Sequence, residues 1–122
     1  MRIEKINHVQ ISVPVDSEPE VRRFYCGLLG LSEVPKPESL RGRGGLWLAV
    51  GDQSLHFGTE EVSDRALSKR HVAFEVEDLE EARRSLQQAG VKVLEGIPIP
   101  GYERFEFRDP FGNRIELMQR HK

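Results

Sequence analysis

The chain has one cysteine, no long apolar run and almost no net charge, and each shortage closes off a class of protein. Cys26 alone cannot form an internal disulfide, so the sequence is not a cross-linked secreted scaffold. The lack of further thiols also argues against a closed structural zinc site. No apolar stretch approaches the ~20 residues of a membrane-spanning helix. The opening Met1-Arg2-Ile3-Glu4-Lys5 has no signal-peptide core. A net charge of −2 supplies no field to recruit nucleic acid or an anionic membrane. A cytoplasmic protein is expected, a single domain over 1–122 with length enough for a real core. Cys26 has no base beside it in sequence and reads as a structural thiol.

What is present is a repeat. His8-Val9-Gln10-Ile11-Ser12-Val13 and His71-Val72-Ala73-Phe74-Glu75-Val76 both open on histidine and alternate as strands. The first half reads as a strand over about 5–13, then a helix capped at Ser17-Glu18-Pro19-Glu20 and running to about Leu29. Gly30 closes that helix. A short strand near Leu31–Val34 and a loop from Pro35 to Gly45 follow. Strands over Leu46–Val50 and Ser54–Gly58 turn at Gly51-Asp52. The second half repeats the order. His71–Val76 is its first strand, and Asp78 caps a helix striped by Leu79, Ala82, Leu86 and Ala89. Gly90 closes that helix, and strands follow at Val91–Leu94, Arg104–Arg108 and Asn113–Gln119. Residues 59–70 link the halves. The fold class is α+β, with two βαβββ modules at about 5–58 and 70–119.

Four metal-competent side chains fall at equivalent places in that repeat: His8 and His56 in the first module, His71 and Glu116 in the second. Alternation sets each opposite aliphatic neighbours, on the face away from the core. Imidazoles with a carboxylate suit a divalent first-row ion and leave positions open for water or substrate. One histidine on a strand is commonly just hydrogen-bonded; three of the chain's four histidines at repeat-equivalent positions make a pattern. His121, the fourth, reads as a solvated tail residue.

The sequence resembles the vicinal oxygen chelate superfamily of glyoxalases, bleomycin-resistance proteins and dioxygenases. The likeness rests on Asn7-His8-Val9, on Phe24-Tyr25 with Leu28 and Leu31, and most specifically on Arg108-Asp109-Pro110-Phe111-Gly112-Asn113-Arg114-Ile115-Glu116-Leu117. It implies paired modules forming a cup-shaped, partly closed barrel around a divalent ion (Fe, Mn, Ni or Zn), completed in a homodimer. By the same likeness His8, His71 and Glu116 match the common metal triad and His56 the fourth position. Glutathione-hemithioacetal isomerases usually have Glu at that fourth position, so His56 is a departure. Glu116 is then the one ligand able to act as catalytic base.

Trp47, Arg104 and Tyr102 are the candidate substrate-binding residues, while Phe57 and Phe105 read as core. Arg41-Gly42-Arg43-Gly44-Gly45 reads as a solvated loop, with an anion clamp as the alternative. The leading functional expectation is a metal-dependent small-molecule enzyme: a lyase, an isomerase, a thiol transferase or a dioxygenase. The alternative is a metal-free protein that sequesters a small molecule or antibiotic.

Overall fold

The structure is a computed structural model and describes residues 1–121. The chain divides into two compact units, Met1–Val62 and Ser63–Lys122. Among the described residues, no helix is long and apolar enough to cross a membrane.

The first unit is a βαβββ module. Its strands are β1 (His8–Val13), β2 (Ser32–Val34), β3 (Leu46–Val50) and β4 (Gln53–Thr59). They form one sheet in the order β1-β4-β3-β2, with β1 parallel to β4 and the other pairs antiparallel. The crossover is α1 (Glu18–Val21), which continues as a π-helix over Arg22–Leu28. Ser17 does not close the expected capping box. Its hydroxyl donates to the Pro14 carbonyl at 2.6 Å instead. The wide π turn carries Phe24 and Tyr25 side by side into the core, where Tyr25 is fully buried against Phe57. The loop after β2 holds a 3-10 turn at Glu38–Arg43.

The second unit repeats the plan with β5 (His71–Glu75), α2 (Leu79–Gln88), β6 (Leu94–Glu95), β7 (Tyr102–Arg108) and β8 (Arg114–Arg120). Its sheet order is β5-β8-β7-β6, again with one parallel pair, β5 with β8. Asp78 caps α2 as expected, accepting from the Glu81 amide at 3.0 Å. Gly30 and Gly90 both take the left-handed conformation that ends their helices, at φ of 80° and 81°. The sixth strand lies later than expected, and β7 begins two residues earlier. The linker is not featureless either: Arg65–Leu67 forms a 3-10 turn with Arg65 buried.

The core face of each sheet is aliphatic and aromatic. Ile11, Val13, Leu46, Leu48, Leu55 and Phe57 fill it in the first unit, and Phe105, Phe107, Ile115 and Leu117 in the second. The turn into β8 is held by the buried Asp109, which accepts from the amides of Phe111 and Asn113 at 2.9 and 2.8 Å. The Asp-Pro-Phe-Gly-Asn segment thereby sets where β8 begins, and with it the face that Glu116 occupies.

Candidate functional site

The two sheets hold their donor residues in the same register. In the first, Gln10, two residues after His8, is the strand partner of His56. In the second, Ala73, two residues after His71, is the strand partner of Glu116. Period-two alternation then sets His8 with His56, and His71 with Glu116, on one face of their own sheets. The side chains follow: the His8 and His56 rings stack at 4.0 Å, and Nε2 of His71 lies 3.8 Å from Oε1 of Glu116.

Both strand-opening histidines have Nδ1 engaged locally. Nδ1 of His71 donates to the Lys69 carbonyl at 2.9 Å. Nδ1 of His8 donates to Oδ1 of Asn7 at 3.0 Å. Each acceptor is an oxygen with no proton to give, so Nδ1 carries the hydrogen. In the neutral ring Nε2 then holds the free lone pair.

His56 differs. Its ring lies between His8 and Trp47, with the Trp47 ring parallel to it at 3.9 Å and 1°. Burial, and after it the nearby His8, holds its pKa below the ordinary histidine value. The ring is therefore neutral at pH 7. Its plane is only 18° from that of His8, so the in-plane lone pairs of the two rings lie in separate, nearly parallel planes and do not meet at one nearby point.

Glu116 is engaged too. Nη1 of Arg104 donates to Oε1 at 2.7 Å, and Nε of Arg104 donates to the Ile97 carbonyl at 2.9 Å. The guanidinium lies close over Gly96, where an added Cβ would stand 3.1 Å from Cζ. All four donors lie on the expected face of their sheets, opposite the core aliphatic residues, but two of them are covered there. His56 and Glu116 are 7% and 4% exposed, the first roofed by flanking rings and the second by a guanidinium. Among the described residues, no three His, Cys, Asp or Glu side chains gather as a metal cluster within either unit.

The substrate candidates divide between two places. Trp47 lines an open groove of about 790 Å3 in the first unit, with His8, His56, Lys36 and Arg43. Tyr102 and Arg104 line a smaller one of about 340 Å3 in the second unit, and Arg120 lies over the Tyr102 ring. Phe57 and Phe105 are core, as expected. The half-buried Cys26 has its thiol pKa raised by burial and by Glu33, which opposes thiolate chemistry. The Trp47–His56 stack was not anticipated, yet its signal was present: counting back from the two-residue turn at Gly51-Asp52 brings Trp47 opposite His56.

Two βαβββ units with matched donor positions define a glyoxalase-type fold. The chain belongs to the Glyoxalase/Bleomycin resistance protein/Dioxygenase superfamily, whose family model matches residues 5–117. It is similar to a glyoxalase family protein from Bacillus anthracis, with 41% identity and a TM-score of 0.91 over 99% of this chain and 100% of that one. It is 25% identical to "Glyoxylase I 4" of Arabidopsis thaliana, over 96% of this chain and 71% of the relative. TnmS3, an antibiotic binding protein from Streptomyces sp. CB03234, is 25% identical with a TM-score of 0.71, over 99% of each chain.

Proposed function

We propose that the protein is a divalent-metal-dependent enzyme acting on a small molecule with neighbouring oxygens, with His8, His71 and Glu116 as the residues that hold the ion. The observation that carries this reading is the shared state of the two strand-opening histidines. Each ties Nδ1 to an adjacent oxygen and presents Nε2, the arrangement typical of ligating imidazoles. The donor chemistry, two neutral imidazoles and a carboxylate, fits Fe, Mn, Ni or Zn as divalent ions. A bound ion would polarise the substrate's paired oxygens and stabilise the negative charge that develops on them.

The remaining steps belong to the chain's own groups. Glu116, the carboxylate of the set, carries the substrate's proton. Arg104 fixes Oε1 of Glu116 and leaves Oε2 as the second donor oxygen. His56, stacked nearly parallel to both neighbours, serves as a ring platform between His8 and Trp47. A homodimer in the cytoplasm completes the reading.

Elemental analysis after exposure to Fe(II), Mn(II), Ni(II) and Zn(II) and desalting tests it. About one ion per chain in the wild type and little in His71→Ala is the expected result. Equal, negligible metal in both proteins would overturn it.

Arg104 favours a second reading, a metal-free small-molecule-binding protein. The guanidinium already supplies Glu116 with a cation. The similarity to the antibiotic binding protein TnmS3 points the same way. Under this reading His8→Ala leaves ligand affinity nearly intact, whereas the enzyme reading has metal and activity lost together.

A further inference from the structure

We propose that the groove of the first unit takes a small planar anion, an aromatic carboxylate or a compound of that shape and charge. This deepens the function proposed above and rests on it only in treating the groove as a substrate site.

The first observation is the wall. His8, His56 and Trp47 form a three-ring stack across β1, β4 and β3, with centroid spacings of 4.0 and 3.9 Å. Aromatic surface of this kind offers a flat ligand dispersion and stacking at little conformational cost. The groove of about 790 Å3 falls in the range of small-molecule sites.

The second observation is charge. Lys36 and Arg43 line the groove, against Asp52 as the one acidic lining residue. Neither cation has a carboxylate partner among the described residues. Nζ of Lys36 donates to the Gly44 carbonyl at 2.6 Å, which leaves two of its three hydrogens available. Arg43 makes no hydrogen bond or ion pair within the described residues, so its planar fork is open to an incoming carboxylate. A cationic ligand would meet repulsion from both side chains. A neutral one would leave both without a counter-charge.

The third observation is that the segment carrying these cations is held in place. The Lys36–Gly44 bond spans the 3-10 turn, and Nε of Arg41 donates back to the Lys36 carbonyl at 3.2 Å. Oε2 of Glu18 accepts from the Gly45 amide at 3.2 Å, tying the end of the segment to α1. The solvated loop expected at Arg41–Gly45 is exposed and also braced, and the segment from Lys36 to Gly45 carries the two groove cations without a carboxylate partner among the described residues. Bracing lowers the ordering cost of binding.

Trp47 is the chain's single tryptophan, so its emission reports on this groove alone. The experiment titrates the metal-stripped 122-residue chain with benzoate (ring and charge), cyclohexanecarboxylate (charge without a flat ring) and benzyl alcohol (ring without charge). Calorimetry runs in parallel. Benzoate is expected to change Trp47 emission saturably and to bind about tenfold or more tighter than either comparator. Arg43→Gln should weaken benzoate about tenfold while leaving benzyl alcohol binding and the circular dichroism unchanged. Similar affinities for the three probes, no saturable benzoate response, or an Arg43→Gln protein that binds benzoate like wild type would overturn the proposal. Metal retention, measured on separate protein exposed to Fe(II), Mn(II), Ni(II) and Zn(II) and desalted, separates the two ideas. Retained metal without benzoate selectivity sinks the ligand class and spares the enzyme reading. Benzoate selectivity without metal retention does the reverse.

Discussion

Nη1 of Arg104 donates to Oε1 of Glu116 at 2.7 Å, an ion pair whose side chains are 16% and 5% exposed. Removing either partner leaves a desolvated charge, which is costlier than never having buried the pair. The same Oε1 is the atom nearest Nε2 of His71. The guanidinium therefore governs where the carboxylate stands as well as what neutralises it.

Arg104→Ala should destabilise the protein by about 3 kcal/mol. Urea denaturation of Arg104→Ala, Glu116→Gln and the double variant checks this. The double variant should lose clearly less than the two single losses added together, because one interaction is removed twice. Strict additivity would show that the pair is not coupled.

Gly96→Ala perturbs the same pair from the backbone side. The new methyl would stand 3.1 to 3.4 Å from Cζ, Nε and Nη2 of Arg104. In the proposed enzyme this should weaken metal retention several-fold while costing only about 1 kcal/mol of stability. Metal competition with a chelator, alongside urea melts, separates the two effects. Unchanged retention would remove Arg104 from any role in positioning Glu116.

Gly45→Ala should be among the most damaging single changes in the first unit. Gly45 sits at φ 78°, and a Cβ there would lie 1.9 Å from the Phe57 carbonyl oxygen. That is a backbone collision no rotamer relieves, on top of left-handed strain of about 1–2 kcal/mol. Gly30→Ala, with a similar φ of 80° but open space around the new methyl, should cost only the strain. Thermal melts of the two variants side by side test the ranking, and equal losses would contradict it.

Stability should decline as pH falls below 6.5, with His56 as one contributor. Burial and His8 lower its folded pKa beneath the ordinary 6.5. Between those two values the unfolded chain binds more protons than the folded one, so stability rises with pH across that window. The contribution is fully present above 6.5 and is lost as pH drops toward the folded value. Urea midpoints at pH 8 and pH 5.5 should therefore differ more for the wild type than for His56→Gln. An identical pH response in the two proteins would acquit His56.

How far the sequence could be read depended on whether the deciding forces were local. Alternation from His8 and from His71 gave the strands that open each unit, and Asp78 gave the cap of α2, because each signal lies within a few residues. The first helix misled: Ser17-Glu18-Pro19-Glu20 has the spacing of a capping box, but the Pro14 carbonyl captures the Ser17 hydroxyl. The π turn that follows has no pattern of its own and serves to bury Phe24 and Tyr25 together. Alternation also identified the face of Glu116 correctly but not its depth. Glu116 is buried there with Arg104 of the neighbouring strand bonded to it, and a strand's own periodicity says nothing about what an adjacent strand lays against it.

The common register of the two sheets bears on how such a chain can change over generations. Sliding β4 or β8 by one residue would exchange every inward side chain for an outward one and expose the core of that unit. Drift along the strands is thus closed, and only replacement in place remains open. The halves differ in this way, with imidazole at 56 and carboxylate at 116, each paired with the residue two beyond a histidine. New chemistry in this scaffold arrives by swapping the occupant of a fixed seat.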